Sequence, residues 1–104
     1  MLIRCQNGSL VQFESVSSVS IAGYHKDGDA YFTCRDNKLS ANTFCVEAIT
    51  MGSRVMGEYT SEQQAQLVVD SIMSHYENNE LAKLFPSLYQ FVPVFIMPKE
   101  VSEE

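Results

Sequence analysis

Few side chains in this 104-residue chain are of the kind that make or break bonds. It has two histidines, His25 and His75. Nucleophilic catalysis needs a histidine within reach of a serine or cysteine and oriented by an acid. His25 falls in "YHKDGDAY", beside Lys26 and Asp27, and reads as an exposed turn residue. His75 sits on a helical pattern, one residue before Tyr76. Neither is set up for such work, and no H-E-x-x-H, P-loop or G-x-G-x-x-G pattern occurs. Glu47 and Glu58 are the one candidate pair of carboxylates, and a solvated strand face is the plainer reading of them. No catalytic residue, metal ligand or cofactor is therefore assigned, and the expectation is a protein that is not an enzyme.

The cations offer more because they are few. Arg4, Arg35 and Arg54 fall in strand-like stretches, Lys26 and Lys38 in loops, Lys83 in a short helical stretch and Lys99 near the end. A strand-borne guanidinium presents a fixed fork to a phosphate, and a nearby aromatic ring gives a base a surface to stack on. Arg35 with Tyr24 and Tyr31, on the outward face of one hairpin, is such a group; ordinary solvated arginine is the alternative. Net charge is −6, which argues against binding a nucleic-acid polymer through a general basic surface. Cys5, Cys34 and Cys45 each sit in apolar surroundings with no C-x-x-C spacing, and read as reduced buried thiols. No apolar run approaches a membrane span and no leader pattern opens the chain, so a cytoplasmic protein is expected.

The elements that must position these residues are legible from turn and cap chemistry. "LIRCQNGSLVQF" holds two strands around Asn7-Gly8, and "SVSIAGYHKDGDAYFTCR" repeats the device around Asp27-Gly28. Residues that tolerate positive φ make both dipeptides hairpin signals. With Asp27-Gly28 as the loop, Tyr24 faces Tyr31 and Ile21 faces Cys34. "DNKLSANT" is a polar loop. "FCVEAITM" and "RVMGEY" are strands joined at Gly52-Ser53, which sets Glu47 opposite Glu58, both pointing to water. Thr60 with Gln63, or Ser61 with Gln64, fits a capping box. Ala65, Val68, Val69, Ile72 and Tyr76 then form one apolar helical stripe ending near Asn78-Asn79. "ELAKLF" is a short second helix stopped by Pro86. "YQFVPVFIMP" is an edge strand, because Pro93 donates nothing to a ladder.

The expectation is thus a single α+β domain over residues 1–104: an antiparallel sheet of about six or seven short strands, one amphipathic helix packed on it and a short second helix, with a frayed acidic tail over 99–104. The last strand is apolar on both faces. Either it is sandwiched within its own domain, or it serves a homo-oligomer contact.

Three pieces carry a resemblance: the opening "MLIRCQNGSLVQF", the strand-to-helix joint "MGEYTSEQQAQLVVDSI" and the closing "FVPVFIMPKE". In this order they resemble short phage and prophage proteins, some of which look like the Thoeris anti-defence sponges. Those are non-enzymatic oligomers that sequester the cyclic ADP-ribose signal of bacterial TIR enzymes, and related sponges hold cyclic oligonucleotides. The resemblance implies a counter-defence protein that binds a cyclic nucleotide without cleaving it. It implies phosphate contacts from Arg54 and Lys99, stacking on Tyr89 and Phe91, and a base or ribose contact from Asn79. The departure is the scarcity of cations near the end, where Lys99 alone follows Lys83. The reading from another class is an acidic protein-binding inhibitor or adaptor acting through the surface and the edge strand on a host or phage protein.

Overall fold

The computed structural model describes residues 1–34 and 40–101. It is α+β. Among the described residues, seven strands form two sheets, and one long helix packs against them. The first hairpin joins β1 (Leu2–Arg4) to β2 (Leu10–Gln12), with Ile3 opposite Val11. Its loop is longer than the Asn7-Gly8 signal implies. The Gly8 N–H donates to the Cys5 carbonyl at 2.9 Å, and the Cys5 N–H donates to the Ser9 carbonyl at 2.8 Å. Gly8, with φ of 89°, takes the left-handed position that closes a three-residue turn. A 3₁₀ turn over Phe13–Ser15 leads on to β3.

The second hairpin joins β3 (Ser18–Asp27) to β4 (Ala30–Thr33). The loop is Gly28-Asp29 rather than Asp27-Gly28, because Gly28 supplies positive φ (63°) at the first loop position and Asp27 becomes the last strand residue, opposite Ala30. Tyr24 therefore faces Thr33, and Lys26 faces Tyr31. The slip relative to the expected pairing is two positions, so every side chain keeps its face. Lys26 is a strand residue, not a loop one, and His25 is half-buried in the same strand with Nδ1 3.1 Å from the Ser40 carbonyl.

β5 (Thr43–Ile49) and β6 (Ser53–Tyr59) complete a four-stranded antiparallel sheet in the order β4-β3-β5-β6. The expected confrontation of Glu47 with Glu58 does not occur. Val46 faces Gly57 while Glu47 faces Val55, so Met56 is the extra residue of a bulge, and Glu58 falls opposite Cys45. The like-charge pair is avoided by the turn, which pairs Ile49 with Ser53 and so sets Glu47 opposite Val55; the bulge then places Glu58 opposite Cys45, on the same face as Glu47.

The helix α1 runs from Glu62 to Leu84. Ser61 is its N-cap, accepting from the Gln64 N–H at 3.1 Å, and Gln64 Oε1 in turn accepts from the Thr60 N–H. Ala65, Val68 and Ile72 are buried as expected, but the stripe continues through Asn79 and Ala82. Asn78-Asn79 does not end the helix, and "ELAKLF" is its last turns rather than a second helix. Phe85 ends it, held out of the helical region by Pro86.

The chain then runs back along α1 into β7 (Val94–Ile96), which pairs parallel to β1 at the edge of a second sheet, β2-β1-β7. The Pro93 carbonyl accepts from Leu2 N–H, and Met97 N–H donates to Arg4. Beyond it the expected frayed tail is docked as far as Val101, which packs on the core and accepts from Gln64 Nε2. Ile3, Val46, Met56, Tyr59, Val68, Ile72 and Met97 are the body of that core.

Gln6 ties the two sheets together. Its backbone N–H donates to Met56, its Oε1 accepts from the Glu58 N–H at 2.7 Å, and its Nε2 donates to the Pro98 carbonyl at 2.9 Å. The Tyr59 hydroxyl donates to the same carbonyl at 2.6 Å. Gly57 makes room for this: a Cβ there would lie 2.9 Å from the Tyr59 hydroxyl and 3.0 Å from the Met97 methyl. Urea denaturation should find Tyr59→Phe destabilised by about 1 kcal/mol, one lost hydrogen bond. Gln6→Ala should cost about 2–3 kcal/mol, because it also strands the Glu58 N–H. Equal losses for the two variants would contradict the linking role of Gln6.

Candidate functional site

The sheet face turned away from α1 carries a closed polar network. Tyr24, Lys26, Tyr31, Glu47 and Glu58 all project from it, by their alternation in β3–β6. The Tyr24 hydroxyl donates to Glu47 at 2.9 Å, Lys26 Nζ pairs with Glu58 at 3.0 Å, and the Tyr31 hydroxyl donates to Glu58 as well. The two tyrosine rings meet edge to face at 5.9 Å, and the Lys26 ammonium stands 5.2 Å from the Tyr31 centroid. Beneath them lies Cys45, fully buried and opposite Glu58. Contrary to the solvated reading, Glu47 is only 6% exposed.

The network resists ionisation. Its hydrogen bond to Glu47, with burial, pushes the Tyr24 phenol up to about 12. Burial, with Glu47 adding to it, pushes the Cys45 thiol up to about 11. A thiol so protonated is a poor nucleophile. Tyr24 and Tyr31 are thus brought together as the sequence implies, but their hydroxyls are spent on carboxylates, which repel a phosphate. Arg35, the third member of that expected group, lies outside the described residues.

The other expected contacts are scattered. Arg54, exposed near the start of β6, lines a cavity of about 200 Å³ with Leu10, Gln12, Ser15 and Thr50. Lys99 lines a different one of about 340 Å³, with Glu58, Tyr59, Thr60, Gln64 and Glu100. The two cavities lie at opposite ends of β6, Arg54 near its start and Tyr59 at its end. Tyr89 and Phe91 are exposed on the segment between α1 and β7.

Asn79 is where the site reading fails physically. It is buried, its Nδ2 donates to the Val92 carbonyl at 2.7 Å, and its Oδ1 accepts from the Val92 N–H at 2.9 Å. His75 Nε2, 2.8 Å from the same carbonyl, and Asn78, donating to Gln90, complete a clamp that fastens the returning chain to the helix. Asn79 is a structural residue, and its helical spacing from Ile72 was the available signal. The members that sequence reasoning missed are Lys26, Glu47 and Glu58, whose only signal was the unfavourable Glu47–Glu58 register.

Asn79→Ala should lower stability by about 2–3 kcal/mol, since it strands both polar groups of Val92; a stable variant with altered ligand affinity would reverse the assignment. Alkaline titration tests the network. Burial likewise pushes Tyr59 up to about 12. Folded-state values above the ordinary 9.0 for cysteine and 10.0 for tyrosine mean stability that is fully present below about pH 9 and lost as pH rises through 11–12. Phenolate absorbance should therefore show two of the five tyrosines ionising late, near pH 12, with Tyr24→Phe removing one. A single wave near pH 10 would contradict this.

No protein-family model, curated protein or solved structure matches the chain.

Proposed function

We propose that the protein is a non-catalytic binder that sequesters a cyclic nucleotide signal, of the cyclic ADP-ribose or cyclic oligonucleotide kind, as a phage-encoded counter-defence protein in the host cytoplasm. The observation that supports this is the pairing of its charges. In a chain of net charge −6, the side chains of Arg4, Arg54 and Lys99 have no hydrogen bond or ion pair among the described residues, while Lys26 and Lys83 are paired. Unpaired cations on an acidic protein are available to a small anion. The exposed rings of Tyr89 and Phe91 supply stacking surface. Sequestration needs donors and a ring, and no proton transfer.

A second reading is favoured by a different observation. From Leu81 to Ile96 the chain exposes Leu84 (71%), Phe85, Leu88 (75%), Phe91, Val92 and Ile96. A run of apolar groups this large suits a protein partner, as in an inhibitor or adaptor of a host or phage protein.

Purified protein titrated with cyclic ADP-ribose isomers and cyclic trinucleotides separates the two. Binding should raise Tm, with stabilisation of about 2.7 kcal/mol at a hundredfold excess over Kd. Heating should return the ligand intact. Arg54→Ala or Lys99→Ala should weaken binding about tenfold, the loss of one charge-assisted hydrogen bond. No shift with any ligand sinks the sequestration reading, and a stoichiometric protein captured instead supports the adaptor. A degraded ligand would make the protein an enzyme.

A further inference from the structure

The cavity beside Arg54 has the makings of an anion site in its own right. It opens at the seam of the two sheets, where β2, the 3₁₀ turn and the β5–β6 connection meet, and holds about 200 Å³. Register places the cation. Arg54 pairs with Ala48, so it stands on the sheet face opposite to Glu47, the neighbour of Ala48. Glu58 shares the face of Glu47, which puts the acidic network on the far side of the sheet. Ala48 is small and buried, and with Val11 and Val16 it forms an apolar floor. The surrounding backbone is fastened: the Ser17 N–H donates to the Ile49 carbonyl at 2.8 Å, and the Thr50 N–H to the Gly52 carbonyl at 2.9 Å.

Four polar side chains line the cavity: Gln12, Ser15, Thr50 and Arg54. None of them has a hydrogen bond or ion pair with another described residue. No acid is among the lining residues. Glu14, next in sequence to Ser15, is engaged by the Met1 amino group. The Lys99 cavity differs, because Glu58 and Glu100 share it. On a chain with 13 acidic and 7 basic residues, a cavity lined by one arginine, three neutral donors and no acid favours negative charge.

The donor set narrows the anion. A guanidinium fork grips two oxygens of one group. The other donors sit on separate elements, Gln12 on β2, Ser15 in the 3₁₀ turn and Thr50 after β5. A carboxylate accepts close to one plane, whereas the oxygens of a tetrahedral phosphate point apart and reach donors on several sides. Charge then selects among phosphates. Arg54 is the one cation lining the cavity, and Arg4, opposite Leu10 on β1, lies outside the lining. One cation balances the single charge of a phosphate diester. A monoester near neutral pH, or a pyrophosphate, brings further charge that nothing in the lining offsets.

We infer that the Arg54 cavity binds a phosphate diester, with Arg54 forking its two free oxygens, Gln12, Ser15 and Thr50 donating around it, and the apolar floor taking the organic group beside it. The site stands on the cavity alone. Naming the ligand rests on the sequestration reading and narrows it to a cyclic oligonucleotide, whose phosphates are separate diesters. Cyclic ADP-ribose sets two charges side by side in a pyrophosphate and fits this lining less well.

A dinucleoside monophosphate carries one diester and no other charge. Titrated into the intact protein and followed by NMR of the Arg54 side-chain N–H groups, it is expected to bind with a Kd of about 1 mM. Arg54→Gln should weaken binding about tenfold, and Arg54→Lys should recover part of the loss, since charge without the fork remains. Ser15→Ala combined with Thr50→Val should weaken it several-fold. All three positions are exposed, so Tm should not change in these variants. Acetate and inorganic pyrophosphate should bind more weakly than the diester. No binding at about 10 mM probe overturns the inference, as does binding indifferent to Arg54→Gln, or tighter binding of acetate or pyrophosphate. The two readings fail separately. A diester bound here by a protein with no affinity for cyclic trinucleotides sinks sequestration and keeps the site. A cyclic nucleotide bound equally well after Arg54→Gln keeps sequestration and overturns the site.

Discussion

The fold hangs on one carbonyl group. Pro98 accepts from Gln6 and from Tyr59, and those two residues belong to the opening hairpin and to the end of β6. Sheets of three and four strands, with little area each, are marginal on their own. Here they are sutured at the point where the last segment crosses both. Gly57 is required by the same junction, because the Tyr59 phenol and the Met97 methyl fill the space its side chain would take. The three stretches that carry the resemblance to phage proteins therefore meet in space. What they do there is close a small domain.

The second constraint is electrostatic. Burying Glu47 costs several kcal/mol unless its charge is compensated. The compensation is a hydrogen bond from Tyr24, which leans along the sheet over Cys45 to reach it. Next to it, Glu58 is neutralised by Lys26 and bonded by Tyr31. The face opposite the helix is thus sealed by side chains that satisfy one another. The two tyrosines, the thiol and the two acids of that surface are engaged with one another or buried. Its groups are hydrogen-bonded or paired, and the turn register that sets Glu47 opposite Val55 keeps the two carboxylates from facing each other.

How much of this was legible depends on the range of the interaction. Short-range chemistry was readable: the Ser61–Gln64 cap, the stripe of Ala65, Val68 and Ile72, and the faces of the β3–β4 hairpin. The hairpin faces survived a wrong turn because a slip of two preserves parity, so Tyr24 and Tyr31 were correctly put on one side. Longer-range chemistry was not. Gly57 inside the β6 pattern is a bulge signal, but it does not say which neighbour becomes the extra residue, here Met56. Glu47 gives no local sign of burial, because its partner is 23 residues away. Asn79 is the instructive case. Its type suggested a polar contact or a helix end, while its spacing continued the buried stripe, and spacing was the better guide because a buried amide can be satisfied by backbone.

The same distinction bears on function. The resemblance implied Arg54, Lys99, Tyr89 and Phe91 as binding groups. Position then disperses them: Arg54 and Lys99 open into separate cavities at opposite ends of β6, and the second cavity is lined by two acidic residues. A dispersed set does not hold one small anion within one chain. The clamp of Asn79 and the link at Pro98, which look purely structural, therefore also fix where Phe91 and Lys99 can stand, because each lies one residue outside the stretch that those bonds fasten. A change in either fastening moves a closing residue and a candidate binding residue together.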